Sequence, residues 1–183
     1  MDKRFFLRDT RTVARELLGQ YLYREVNGIV FRGIISETEA YHGPEDLACH
    51  CSKGITPRTE IMFREGGRIY VYLIYGMYYM LNFTTMSDGF PAAVLIRGVI
   101  EPEFSENGRD FIPLQVKTDG PGKLTKAFQI DKKLNTQLIH PSTGLWVEKG
   151  PPIDFKIVTG KRVGVDYAGE WKDKPWRFLL KKS

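Results

Sequence analysis

The stretch IISETEAYHG, residues 34–43, carries the side chains best suited to chemistry. Side chains on an extended strand alternate with period two, so Glu37, Glu39 and Tyr41 share one face. Two carboxylates and a phenol are an unusual end for an otherwise apolar strand, since solvated edges favour lysine and similar residues. Two readings stand at this point: either both glutamates face water, or they form the polar end of a site. Carboxylates two residues apart on a strand lie about 6.5–7 Å from each other, the separation that inverting glycoside hydrolases place around a water. Hydrolysis of a bond to a sugar is therefore the chemistry to consider, and a carbohydrate hydrolase using Glu37 and Glu39 is one candidate.

Other clusters carry less. Cys49, His50 and Cys51 are adjacent, but metal-binding pairs are spaced by two to four residues and no second pair exists, so no metal is expected. Cysteines two apart seldom meet disulfide geometry, and free thiols are expected. The run RIYVYLIYGMYYMLNF, residues 68–83, holds five tyrosines and one glycine. It is too short and too aromatic for a membrane span. Its β-branched and aromatic content indicates strands, with Gly76 marking a hairpin turn and Tyr75 near the tip. A ring at a hairpin tip either folds back onto the sheet or projects into something else. The neighbouring tyrosines read mainly as core, with a platform for a sugar or a base as the alternative.

The elements that must position these residues follow from local signals. Residues 9–19 read as a helix capped by Asp9 or Thr10 and ended by Gly19. Strand-like runs at 20–26 and 29–39 are joined by Asn27-Gly28, the strongest short hairpin signal. Pro44, Glu45 and Asp46 suit the start of a short helix reaching His50, and Thr56 caps another over 56–63. A strand surrounds Arg97, residues 101–118 read as loop, and GPGKLTKAFQI, residues 120–130, opens a helix whose glycine-flanked N-terminus suits a phosphate. Three short strands near 145–148, 155–159 and 176–180 close the chain. Without repeat or linker, the chain reads as one α+β domain over 1–183, built on an antiparallel sheet.

Composition fits this reading. The chain has 183 residues, 42% of them hydrophobic, enough for one well-buried domain. A net charge of +5 and a pI near 9.1 favour an acidic partner, with nucleic acid the commonest. The N-terminal segment lacks the continuous apolar core of a secretory signal, so the cytosol is the expected compartment.

Taken with LLGQ, ETEAYHGPED, ACH, TPR, MF, IYVYLIYGMYYMLN, VLIR, GPGKL and RVGVDYAGEWKDKPWRF, the sequence resembles the alkyladenine (3-methyladenine) DNA glycosylase family along nearly its whole length. The resemblance implies one domain with a curved antiparallel sheet, flanking helices and a protruding β-hairpin. It implies that Tyr75 enters the minor groove and fills the gap left by a flipped nucleotide. It implies a base pocket walled by Tyr41 on one side and by Tyr72 and His50 on the other, with Asn82 at its floor. Glu39 matches the general base, Arg97 the water-positioning arginine, and Val163 the residue whose main-chain carbonyl meets the water. Glu37 matches an acidic residue with no catalytic assignment. Gly122 and Lys123 match backbone-phosphate contacts.

The implied activity is monofunctional: flipping and hydrolytic excision of alkylated or deaminated purines, of the 3-methyladenine, 7-methylguanine and hypoxanthine type, as the opening step of base excision repair. The implied partner is double-stranded DNA with damaged bases, with no cofactor, no membrane and a monomeric enzyme. The implied location is the cytoplasm or nucleoid, or the nucleus if the source is eukaryotic. A protein that binds damaged DNA without cutting is the alternative from another class. The sequence departs from the family pattern in Asp166 and Tyr167, in two extra residues between Asn82 and Arg97, and over residues 103–119.

Overall fold

The computed structural model describes residues 1–152 and 154–182, and their strands join in one antiparallel sheet of nine. Its longest pairing joins β2 (Ile29–His42), which carries Glu37, Glu39 and Tyr41, to β5 (Ala92–Ser105), which carries Arg97. β2 also forms the expected hairpin with β1 (Tyr21–Val26), and both turn residues have positive φ, 52° at Asn27 and 79° at Gly28. That pair of left-handed residues matches the twist of the strands it joins.

The remaining strands are β3 (Ile69–Ile74), β4 (Tyr78–Thr84), β6 (Ile112–Pro113), β7 (Leu145–Glu148), β8 (Phe155–Gly160) and β9 (Arg177–Lys182). Their order is β3-β4-β5-β2-β1-β7, with β6 on β5, β9 on β2, and β8 on β9. Three α-helices are present among the described residues: α1 (Lys3–Phe6), α2 (Thr10–Leu17) and α3 (Pro121–Ala127). Asp9 caps α2 as expected, accepting from the N–H groups of Arg11 and Thr12. Val13, Ala14 and Leu17 of α2 join Leu22, Ile35, Ala40, Val94 and Ile96 in the main core.

The pairing of β2 with β5 contains three register irregularities, and the two nearest the glutamates offset each other. Ile35 pairs Val99 but Glu37 pairs Gly98, so Ser36 is an extra residue on β2; Thr38 then pairs Ile96, so Arg97 is an extra residue on β5. A bulge bends its strand and re-aims a side chain. Here it frees Arg97 from the regular alternation beside the two glutamates. Thr38 and Ala40 face the helix side, where Thr38 Oγ1 donates to Ala14 O at 2.8 Å. Glu37, Glu39 and Tyr41 take the opposite face, as period two requires.

Four local expectations need correction. Residues 44–49 form turns and only a 3-10 turn, His50–Lys53, follows, because Asp46 turns its carboxylate onto the main-chain N–H groups of His42 and Ala48. An acidic side chain that captures nearby backbone competes with the helix it would otherwise begin. Residues 56–63 shrink to a 3-10 turn, Glu60–Phe63, preceded by reciprocal hydroxyl-to-backbone bonds between Thr56 and Thr59. Residues 101–118 are not all loop: β5 runs on to Ser105, pairs β2 there, and takes up β6. Finally, α1 is an addition, capped by Asp2 and burying Phe6.

Between β3 and β4 the turn is Ile74-Tyr75-Gly76-Met77, closed by Met77 N–H donating to Ile74 O at 3.1 Å. Tyr75 and Gly76 have φ of 50° and 68°. Left-handed backbone is costly for a bulky side chain, and this turn type favours asparagine-glycine. Nor is the ring sheltered in return, since Tyr75 is 87% exposed. Tyr75→Asn is therefore expected to raise the melting temperature by about 2–4 °C, the equivalent of about 1 kcal/mol in a chain of this size. Differential scanning calorimetry checks this, and a lower melting temperature would show that the tyrosine supports the fold.

Candidate active site

Seven of the residues singled out by sequence line one cavity of about 590 Å³: Tyr41, His50, Tyr72, Tyr75, Asn82, Arg97 and Val163. Strand geometry accounts for much of this. Tyr70 and Tyr72 share a face of β3 and lie 5.0 Å apart by ring centroids. His50 meets the Tyr72 ring edge-on at 4.8 Å, and its Nδ1 is 3.2 Å from the Tyr70 hydroxyl. Asn82 pairs Tyr70 across β3–β4 and Leu95 across β4–β5. Its amide nitrogen donates to the carbonyls of Tyr70 and Met80, which holds this buried side chain in place.

Glu39 lies one layer behind the wall. It has no solvent exposure, so its charge depends wholly on protein donors. Oε1 accepts the Val163 N–H at 2.8 Å, Oε2 accepts the Tyr41 hydroxyl at 2.7 Å, and Arg97 Nη1 stands 3.5 Å from Oε2. Burial pushes the Glu39 pKa up, while Arg97, Tyr41 and the Val163 N–H pull it back and the nearby Glu37 adds to the rise. The net direction is upward. The same burial, reinforced by Glu39, lifts the Tyr41 phenol well above its ordinary range, so Tyr41 stays a donor to the carboxylate.

Glu37 is not a second free carboxylate. Its Oε1 accepts from Arg97 Nε and from Arg177 Nε, each at 2.7 Å. Glu37 thus fixes the guanidinium that reaches Glu39, and the pair does not have the open arrangement that a water between two carboxylates requires. Arg177 was not legible as part of the site, because nothing in RFLLKK places β9 beside residues 37–39 of β2.

His50 has its pKa lowered to about 4 by burial and then by the charges of Arg58 and Lys53, so it is neutral at physiological pH. The Arg58 guanidinium lies 4.4 Å from the Tyr72 ring centroid and lines the same cavity. Arg58 and Tyr70 extend the predicted wall. For Tyr70 a signal was available, since it sits two residues before Tyr72. Cys49 and Cys51 are buried free thiols, and Cys51 Sγ donates to Gly43 O at 3.1 Å.

The phosphate-contact candidates sit at the start of α3, where Pro121 also lines the cavity. Gly122 lies against the Tyr78 ring so closely that an added Cβ would come within 2.7 Å of it. Lys123 is exposed and pairs with Asp119 at 2.8 Å. Of the two departures in GVDYAG, Tyr167 stands at the cavity, 68% exposed, with its hydroxyl 3.4 Å from Ala48 O.

A cavity walled by aromatic rings, next to a buried carboxylate held by an arginine and a main-chain N–H, with a hairpin tyrosine projecting at its rim, has the makings of a DNA glycosylase site, and likeness to known proteins establishes that class. Residues 4–183 match the family described as Methylpurine-DNA glycosylase (MPG). The chain belongs to this family, and with it to the enzymes of DNA repair. It is 46% identical over 180 residues to a protein of Legionella pneumophila (strain Corby), covering 98% of this chain and 93% of that one. It is 48% identical over 183 residues to one from Methanocella arvoryzae, covering 98% and 91%. A third, from Anaeromyxobacter dehalogenans, is 45% identical over 179 residues, with 98% and 81% covered. All three relatives carry the name "Putative 3-methyladenine DNA glycosylase".

The upward pKa of Glu39 has a consequence for stability. A carboxyl that holds its proton more tightly when folded than when unfolded lowers stability as pH rises from its unfolded pKa through its folded one, and the full cost is present above both. At neutral pH, Glu39→Gln is therefore expected to leave the melting temperature unchanged or higher, with the difference disappearing as pH falls towards 4. Thermal melts of both proteins across pH 4–8 check this, and a Glu39→Gln protein that melts clearly lower at neutral pH would show the carboxylate to be net stabilising.

Proposed function

We propose that this chain is a monofunctional glycosylase that flips damaged purines of the 3-methyladenine, 7-methylguanine and hypoxanthine type out of double-stranded DNA and hydrolyses their bond to the sugar, leaving an abasic site. The observation that carries this reading is the buried Glu39 carboxylate, held by Tyr41, Arg97 and the Val163 N–H beside an aromatic cavity large enough for a base. In this reading Glu39 is the general base, which takes a proton from a water as positive charge grows on the sugar C1′. Arg97 keeps the carboxylate ionised and orients the water, and the Val163 carbonyl is its second partner. The water has to reach Glu39 from the cavity, past Tyr41, Arg97 and Val163.

Tyr41 stacks on one face of the flipped base, with Tyr72 and His50 on the other. A neutral His50 adds no repulsion against a cationic alkylated base, and the rings attract it. Tyr75 is the wedge. Flipping costs a few kcal/mol of unstacking, least at damaged pairs, and an inserted ring offsets part of that cost. Its exposure and strained turn suit a residue kept for a surface other than its own. The α3 start, with Gly122 and Lys123, touches backbone phosphate, and the protein acts as a monomer without a cofactor in the compartment that holds the DNA. Among the described residues no helix is long and apolar enough to cross a membrane.

Two experiments test the reading. Glu39→Gln keeps the shape but removes the negative charge, so single-turnover base release from a methylated duplex is expected to fall at least about 10²-fold, with lesion binding retained. Near-full excision by this variant would remove Glu39 as the base. Retained excision would still separate an enzyme from a protein that only binds damaged DNA. Asn82→Ala opens space at the cavity floor, and is expected to raise excision of guanine lesions relative to hypoxanthine by about tenfold, since a lost clash is worth about 1–3 kcal/mol. An unmoved ratio in a lesion panel would make Asn82 a structural residue.

A further inference from the structure

Behind the cavity wall lies a buried ion pair that the proposed chemistry does not use. Asp46 and Arg162 have side chains with no solvent exposure. Arg162 Nη1 donates to Ala40 O at 2.9 Å and to Asp46 Oδ2, and Nη2 donates to Asp46 Oδ1 at 2.8 Å and to Trp171 O at 3.0 Å. Its guanidinium carbon lies 4.9 Å from the Tyr41 ring centroid and 5.1 Å from that of Trp176. Asp46 in turn accepts from His42 N–H and Ala48 N–H. One pair of side chains therefore ties together the end of β2, the 46–48 turn and the 161–171 segment.

Each of those three segments carries cavity residues: Tyr41, then Ala48, with His50 just beyond it, then Val163, Val165 and Tyr167. Val163 directly follows Arg162 and gives its N–H to Glu39, although its own side is 46% exposed. Replacing a buried ion pair by apolar residues is often no loss of stability, so stability alone does not explain this one. What a planar guanidinium with four acceptors does is fix directions. It sets where the main chain of Val163 runs, and it lies against the Tyr41 ring, whose hydroxyl is bonded to Glu39.

We propose that Asp46 and Arg162 are positioning residues for the glycosylase reaction, holding the Val163 main chain and the Tyr41 ring in register with Glu39. This rests on Glu39 being the general base. The groups that face Glu39 are Arg97 from β5, Glu37 and Tyr41 from β2, Tyr72 from β3 and the Val163 N–H. Of these, the Val163 N–H and the Tyr41 hydroxyl stabilise the ionised carboxylate and depend on the pair. Loosening it weakens two donors, so Glu39 needs a higher pH to ionise.

The test uses Arg162→Lys, which keeps the charge beside Asp46 but lacks the planar fork. The double variant Asp46→Asn/Arg162→Gln removes both charges and leaves none unpaired. Single-turnover base release from a methylated duplex is measured from pH 5 to 9 on protein shown by its melt to be folded. A loss approaching tenfold is expected at the acid end of the range, shrinking to within about threefold by pH 9, as the acid limb of the profile moves up by about one pH unit. A uniform loss across the range, or none, overturns the proposal by reducing the pair to a structural staple. Glu39→Gln, run in parallel, keeps the two ideas apart: if it still excises, the base assignment fails and the proposal with it; if it is inactive while the acid limb of Arg162→Lys stays put, only the positioning role fails. Should neither variant fold, amide hydrogen exchange in the unaltered protein decides. Protection at the level of the core is expected for the Val163 N–H, and fast exchange would overturn the proposal.

Discussion

A carboxylate shut off from water has to be surrounded by donors, and much of this molecule is arranged around that requirement at Glu39. The donors come from three places: a phenol two residues along the same strand, a guanidinium on the neighbouring strand, and a main-chain N–H more than a hundred residues away in sequence. Only the first follows from the regular alternation of a strand. Arg97 is re-aimed by a bulge and steadied by Glu37, which Arg177 steadies in turn. The result is an anion whose protonated form is favoured by burial and whose ionised form is rescued by position. Such a balance suits a group asked to take up a proton.

The cavity next to it has a different character. Its facing rings Tyr41 and Tyr72 come from β2 and β3, its histidine is neutral, and the Arg58 guanidinium sits on Tyr72. The separation matters for the proposed function, because the base is to be gripped by dispersion and ring electrostatics while the sugar bond is broken under the influence of a buried charge. Binding and chemistry thus fall largely to distinct groups. Tyr41 belongs to both, as a wall of the cavity and a donor to Glu39.

The sequence was most informative where one rule decides one residue. Asn27-Gly28 announced a hairpin, Gly76 a turn with Tyr75 at its tip, and period two a common face for Glu37, Glu39 and Tyr41. It was misleading where a side chain answers to a distant partner. Pro44, Glu45 and Asp46 have the composition of a helix start, yet Asp46 is bonded to Arg162, and its oxygens hold the local backbone in turns. Polar residues after Glu101 look like loop, yet β5 continues to Ser105 because Arg32 and Glu103, opposite each other on β2 and β5, form an ion pair there. The roles of Glu37 and Arg177 were equally hidden, since both depend on which strands become neighbours.

The contact between Gly122 and Tyr78 bears on where flexibility resides. Tyr78 opens β4 directly after the hairpin turn, and its ring rests on the first turn of α3 with no room for even a methyl group between them. Thr125 of α3 also donates its hydroxyl to Tyr79 O at 2.9 Å, so the helix braces the strand that leads from the projecting ring of Tyr75. On the proposed function, accommodation then falls to the duplex, which has to bend and part to fit the protein. A stretch of DNA whose stacking is already weakened yields most easily to a rigid probe, so part of the discrimination between damaged and sound sites is exercised before any base reaches the cavity.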